Sequence, residues 1–167
     1  MISNRVRDAI NAQMNREFYS SFLYLAMAGY FESVNLRGFA AWMRVQAQEE
    51  HAHGMKFYEY LAEQGARISM ADIEAPPREW ASPLKVFEHA LGHEQKVTGR
   101  IHDLVELAMK EKDHATTIML QWFVTEQVEE EANATGIVLK LKAASADKAG
   151  VLLQLLDHGL GKRGKSP

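Results

Sequence analysis

The 167-residue sequence predicts an all-α protein: a four-helix bundle with a long crossover between its second and third helices and a short fifth helix at the C-terminal end. Three observations predict it. Four long segments carry core-type residues at steps of three and four, the spacing that lines one face of a helix. Only four prolines and eleven glycines interrupt a chain that is 47% hydrophobic and 25% charged. The stretch between the second and third segments is too long for a tight turn, and a crossover is its economical reading.

The first helix is predicted from an N-cap at Ser3 to about Phe31. The second follows the turn Asn35-Leu36-Arg37-Gly38 and runs to about Gln64, where Gly65 offers a C-terminal cap. A turn that short makes the pair antiparallel. Gly65 to Ala81 contains Pro76-Pro77 and shows no period. A helix of some 26 residues is about 39 Å long, and 17 extended residues reach about 56 Å, so this stretch can traverse the bundle. Ser82-Pro83 opens the third helix, because proline at the first helical position loses no hydrogen bond, and it runs to about Lys112. Asp113 caps a fourth helix to about Leu141, and Ser145 is expected to cap a fifth that ends by His158-Gly159. Residues 1–160 are read as one domain and 161–167 as a basic, flexible tail. Two antiparallel hairpins joined by one long crossover is a known bundle topology.

Composition excludes several functions. A net charge of −3 gives no basic face for nucleic acid. With no cysteine there is no disulfide framework and no thiolate metal site, so any metal must be held by oxygen and nitrogen. Met1–Ile10 lacks a signal-type apolar stretch, and no run of about eighteen apolar residues occurs, so a cytoplasmic protein without a membrane span is expected.

The chemistry sits inside the stripes. On the first helix the stripe reads Ile10, Met14, Glu17, Ser21, Tyr24, Ala28, Phe31, and on the second Phe39, Met43, Gln46, Glu50, His53, Phe57, Tyr60. On the third it reads Leu84, Phe87, Leu91, Glu94, Thr98, Ile101, Val105, and on the fourth Leu120, Phe123, Gln127, Glu130, Ala134, Ile137, Leu141. Each has a carboxylate near its middle, where an apolar residue would be more stable. Burying one carboxylate costs several kcal/mol, and four facing one another add mutual repulsion. A pair of cations resolves both. Protonation, or glutamates snorkelling at the stripe edge, would explain a single such residue but not four in register with a histidine. Glu50 and His53 form an E-x-x-H pair on one helical face, able to reach the same ion. With single glutamates on the first and third helices this gives carboxylate-rich, one-nitrogen coordination suited to a redox-active iron pair.

The sequence resembles a bacterial or archaeal non-haem ferritin over nearly its full length. The likeness is carried by N-R-E-F-Y-S-S-F-L-Y-L around Glu17 and Tyr24, M-R-V-Q-A-Q-E-E-H-A-H around Glu50 and His53, and T-E-Q-V-E-E-E on the fourth helix. The resemblance implies a first iron site of Glu17, Glu50 and His53 and a second of Glu50, Glu94 and Glu130, with Glu50 bridging. Gln127 would stand beside the pair as a hydrogen-bonding group or weak ligand. Where many di-iron proteins have a second E-x-x-H pair, this chain has Gln127-x-x-Glu130, so the second ion should be held less firmly and pass more readily to a store. Tyr24 and Trp122 are expected to neighbour the oxidation site, packing being an equal role for Trp122. His51 is expected at the surface or an interface. Most of the eight methionines read as core filler. No haem is expected, since Ala52 stands where a haem-ligating methionine would and Met55 lies past His53.

The activity implied is that of a ferroxidase and iron store. Fe(II), both substrate and cofactor, is oxidised as a dinuclear pair by O2 or H2O2, and the ferric product is stored as mineral within a homo-oligomeric shell of 24 subunits. Glu49, Glu126 and Glu129 lie just off the stripes, and Glu126, Glu129 and Glu130 span an arc of about 100° on their helix. By resemblance they form a third iron site on the cavity side; a solvated acidic face is the alternative. Two other functions compete. A di-iron oxygenase or peroxidase that keeps its metals is disfavoured by the lone histidine, and a DNA-protecting mini-ferritin by Glu94, Glu130 and the segment after Ser145.

Overall fold

The computed structural model describes residues 2–163. Five helices follow in order: α1 (Asn4–Ser33), α2 (Arg37–Glu63), α3 (Pro83–Lys110), α4 (His114–Ser145) and α5 (Val151–Leu160). The first four form the bundle, α1 packing with α2 and α3 with α4 as hairpins. The predicted caps Ser3 and Asp113 are formed, and Ser82 caps the helix that Ser82-Pro83 was expected to open: Ser3 accepts from the Val6 amide at 3.3 Å, Ser82 from Lys85 at 3.2 Å, and Asp113 from Thr116 at 3.0 Å. Each satisfies an amide that lacks an intrahelical partner. Gly65, at φ 62°, supplies the left-handed residue after α2. The crossover then runs irregularly to Ser82. Asn11 accepts from the Ser69 amide at 2.7 Å and Asn15 from Ala71 at 2.8 Å, so the loop's start is pinned to α1.

Three expectations are corrected. Ser145 does not cap α5; it is the last residue of α4, because Ala143 and Ala144 carry that helix a further turn. α5 instead begins after Gly150, at φ 71°, with the Asp147 carboxylate accepting from the Leu152 amide at 2.9 Å. α3 stops at Lys110, since Lys112 turns into the left-handed region at φ 55° to lead into the Asp113 cap. The buried face of α3 is also rotated from the predicted stripe. Phe87, Glu94 and Ile101 are buried, but Val97 and Leu104 are covered while Leu91, Thr98 and Val105 are only half-buried. The reason is that α3 meets α1 as well as α4. The stripes predicted for α1, α2 and α4 are buried in full.

Of the expected tail, Gly161–Arg163 form a turn, and the Arg163 guanidinium lies 4.3 Å from the centroid of the Trp42 ring. Residues 164–167 lie outside the described residues. α5 docks on the start of α2, where Asp157 accepts from the Phe39 amide at 2.9 Å. A Cβ at Gly38 would fall 1.7 Å from the Asp157 carbonyl oxygen, so only glycine admits this approach. Among the described residues no helix is long and apolar enough to cross a membrane.

The core is split in two. One apolar cluster gathers Phe31, Phe39, Trp42 and Phe87 near α5, and the other gathers Ile10, Met14, Phe57, Ile101 and Phe123 at the opposite end. Between them lies a buried polar layer.

Candidate metal centre

That layer contains Glu17, Glu50, His53, Glu94, Gln127 and Glu130, all buried, with His53 the most exposed of the six at 5%. All four bundle helices contribute, because each stripe turns a polar side chain inward at the same height. Glu17, Glu50 and His53 each offer a ligand atom, and the three atoms lie within 4.8 Å of one another. His53 Nδ1 stands 3.5 Å from Glu50 Oε2. A second grouping within the same limit is His53, Glu126 and Glu130. Glu50, Glu94 and Glu130 instead repel one another across the layer, the last two driving the Glu50 carboxyl up and Glu94 raising Glu130. The Glu94 oxygens are engaged elsewhere: Tyr24 donates its hydroxyl to one and Gln127 Nε2 donates to the other at 3.2 Å.

The electrostatics follow from desolvation. Burial first, then the neighbouring Glu50 charge, pushes the Glu17 carboxyl up to about 8 from an ordinary 4.5. Burial and then Glu94 raise Glu130 to about 7. Glu50 is raised well above its ordinary value and Glu94 is raised too, burial being the leading cause for both. Tyr24 is also pushed well up, by burial and then by Glu94. Glu17 Oε2 and Gln13 Oε1 are buried acceptors with no hydrogen-bond partner. Buried oxygens without a partner are expensive, and a cation in contact with Glu17 Oε2 would remove that cost.

On the α2–α4 side the layer opens toward a cleft of about 590 Å³ lined by Glu49, His53, Lys56, Glu59, Trp122 and Glu126. Trp122 meets the His53 ring edge to face at 5.3 Å between centroids and carries Lys56 Nζ 4.3 Å above its own ring. His51 is exposed and tilted against Phe18. Of the three acids expected off the stripes, Glu126 joins His53 and Glu130, Glu129 is exposed on α4, and Glu49 is paired with Arg163.

Three polar neighbours were given no role at the site from sequence, although Gln46 stands in the second stripe. Gln13 Nε2 donates to Glu17 at 2.7 Å, and Gln46 Nε2 donates to Glu130 at 2.8 Å and to Glu50 at 3.1 Å. Each glutamine sits four residues before a glutamate it binds, a helical-face spacing that could have revealed it. Arg163, the third, had no local signal.

A buried carboxylate-and-histidine layer inside a four-helix bundle with this crossover defines the class, and the chain belongs to the ferritin family: the family's ferritin-like domain matches residues 7–144. Over 163 residues it is 44% identical to a bacterial non-heme ferritin of Bacteroides fragilis, covering 98% of this chain and 100% of the relative. It is 42% identical over 132 residues to a Staphylococcus aureus protein of the same name, covering 79% and 80% of the two chains. An open pore ferritin from the hyperthermophilic archaeon Archaeoglobus fulgidus superposes with a TM-score of 0.95 at 52% identity, covering 98% of this chain and 99% of that one. A closed form engineered from the Archaeoglobus fulgidus ferritin gives a TM-score of 0.95 at 51% identity, covering 99% and 100%.

Proposed function

We propose that this chain is a cytoplasmic iron-storage subunit with ferroxidase activity, which binds two Fe(II) ions in its buried layer and stores the oxidised product in a closed shell of 24 copies. The observation that carries the reading is the set of four buried glutamates around one histidine, with one glutamate oxygen left without a partner. Glu17, Glu50 and His53 hold the first Fe(II). Glu50, Glu94 and Glu130 hold the second, Glu50 serving both and Gln127 steadying Glu94. Filling the sites displaces the protons that burial places on these acids and cancels their repulsion.

Two Fe(II) ions surrender one electron each. With O2 and two protons they yield two Fe(III) and H2O2; with H2O2 and two protons they yield two Fe(III) and two waters. Tyr24, whose hydroxyl donates to Glu94, relays one of the protons these steps consume. The oxygen-and-nitrogen donor set suits iron in both states. Hydrolysis of Fe(III) then forms mineral, so the protein takes up far more iron than its sites hold. Aerobic loading followed by iron analysis and particle sizing tests this. Hundreds of irons per particle are the expected result; two irons or fewer per chain would favour an enzyme that retains its metals.

The shell has its own support. α5 presents Val151, Leu152 and Leu155 to solvent at 52%, 47% and 63% exposure, and Ile118, Val128 and Leu139 are bare along α4. Three exposed apolar side chains within one short helix are what a contact with other copies would cover. Light scattering should find a large particle, and its mass should respond to salt, since charged contacts weaken with screening. Monomers or dimers at every ionic strength, with and without iron, would rule the shell out.

Glu49, Glu126 and Glu129 form a third iron site beside the cleft, Glu130 serving it as well as the second. Replacing the three by alanine should leave two tight irons per chain but change the iron consumed per oxidant and the rate of later turnovers. Iron titration and oxygen uptake unchanged from wild type would return these acids to a solvated surface.

A further inference from the structure

Arg163 lies outside the four bundle helices yet reaches the wall of the metal centre. Its guanidinium lies over the Trp42 ring, Nη1 donates to Gln46 Oε1 at 2.8 Å, and Nη2 donates to the Glu49 carboxylate. Gln46 is fully buried, and its Nε2 donates onward to Glu130 Oε2 and Glu50 Oε1. A chain of hydrogen bonds therefore runs from the turn after α5 to two of the four buried glutamates.

We propose that Arg163 is a positioning residue of the metal centre, which acts through Gln46 to fix the carboxylates of Glu50 and Glu130. The proposal rests on the cation-binding reading above.

The two ends of a primary amide are nearly equal in shape, and only their partners decide which way it faces. Turned over, Gln46 would set an acceptor oxygen against two carboxylates. Arg163 can only donate, so it holds the carbonyl end and leaves both N–H groups for Glu50 and Glu130. Each glutamate then has one oxygen fixed and the other available to an ion. The planar fork is essential, because it serves Gln46 and Glu49 at once, whereas lysine offers a compact charge without that geometry.

Outer partners of metal ligands are worth about 10- to 100-fold in metal affinity. Gln46 is one bond removed from the ligands and Arg163 two, so the effect of Arg163 should be about three- to tenfold. Its charge acts in the opposite direction, disfavouring a nearby cation. Arg163→Lys separates the two, because it keeps the charge and loses the fork.

The test is an anaerobic titration of the assembled full-length protein with Co(II), read by calorimetry and by the visible absorption of the bound ion. Wild type, Arg163→Lys, Gln46→Met and the double variant are compared, each checked for particle size and helicity. Wild type should bind two Co(II) tightly per chain, any ion at the third site being weaker. Arg163→Lys should weaken one of the two by about three- to tenfold and alter its absorption spectrum, and Gln46→Met should weaken the same ion by about 10- to 100-fold. The double variant should bind no more weakly than Gln46→Met alone, because Arg163 has nothing left to orient. Arg163→Lys titrating as wild type, or weakening the Gln46→Met variant by the same factor as wild type, would overturn the proposal. Wild type failing to bind a pair would instead sink the dinuclear reading, and this proposal with it.

Discussion

Glu50→Ala and His53→Ala should each lose the fast phase of Fe(II) oxidation, by about a hundredfold or more, while the helical fold and particle size are kept. The magnitude follows from their place: loss of an outer partner costs about 10- to 100-fold in metal affinity, and these two are proposed to supply ligand atoms themselves. Glu50 shares the layer with Glu17, Glu94 and Glu130, so its removal strips a donor from both proposed ions. His53 is the one nitrogen donor in the layer and stands between Glu50 and the Glu126 side of the cleft. Stability should move little in Glu50→Ala, because the cavity left behind is offset by removing a buried acid that desolvation and two neighbours already strain. Stopped-flow absorbance after mixing with Fe(II) in air separates the fast phase from slow background oxidation, and circular dichroism checks the fold. Wild-type fast phases in both variants would refute the assignment of these residues.

Most of the bundle was legible because burial and helical period speak through the same residues. Glu17, Glu50, Glu94 and Glu130 stand out in sequence because each occupies a core position within an otherwise apolar stripe, and all four are buried in the fold. What escaped depends on contacts distant along the chain. Nothing local about Arg163 says that it will lie over Trp42 and hold Gln46, since that requires α5 to fold back across the start of α2, where Gly38 admits Asp157. Ser145 was misread for the opposite reason. It has the chemistry of a cap, but two preceding alanines make continuation of α4 the cheaper local choice, and Gly150 marks the break. The rotated face of α3 was hidden because a stripe shows the width of a buried face but not how two neighbours share it.

The metal-free protein should lose stability as pH rises, and bound cations should reverse the trend. Glu17 is raised to about 8 and Glu130 to about 7, against an ordinary 4.5. A carboxyl with a higher pKa in the fold than in the unfolded chain holds its proton more tightly when folded. Its contribution to stability is therefore complete below pH 4.5 and is lost as pH climbs through 7 and 8. Glu17 alone would remove on the order of 4 kcal/mol per chain between pH 5 and 8, which corresponds to about 10 °C in melting temperature for a domain of this size. Zn(II) tests the metal side without oxidation. When it fills the layer, the cations replace the protons, so the gain in melting temperature should grow from pH 5 to 8. Binding at pH 7 should release at least about one proton per chain, measurable as a dependence of calorimetric heat on buffer ionisation. Glu17→Gln should flatten the pH slope of the metal-free protein, because a neutral amide replaces the group whose charge burial opposes. A metal-free melting temperature that stays level or rises from pH 5 to 8, or an undiminished slope in Glu17→Gln, would show that these acids do not carry the strain their burial implies.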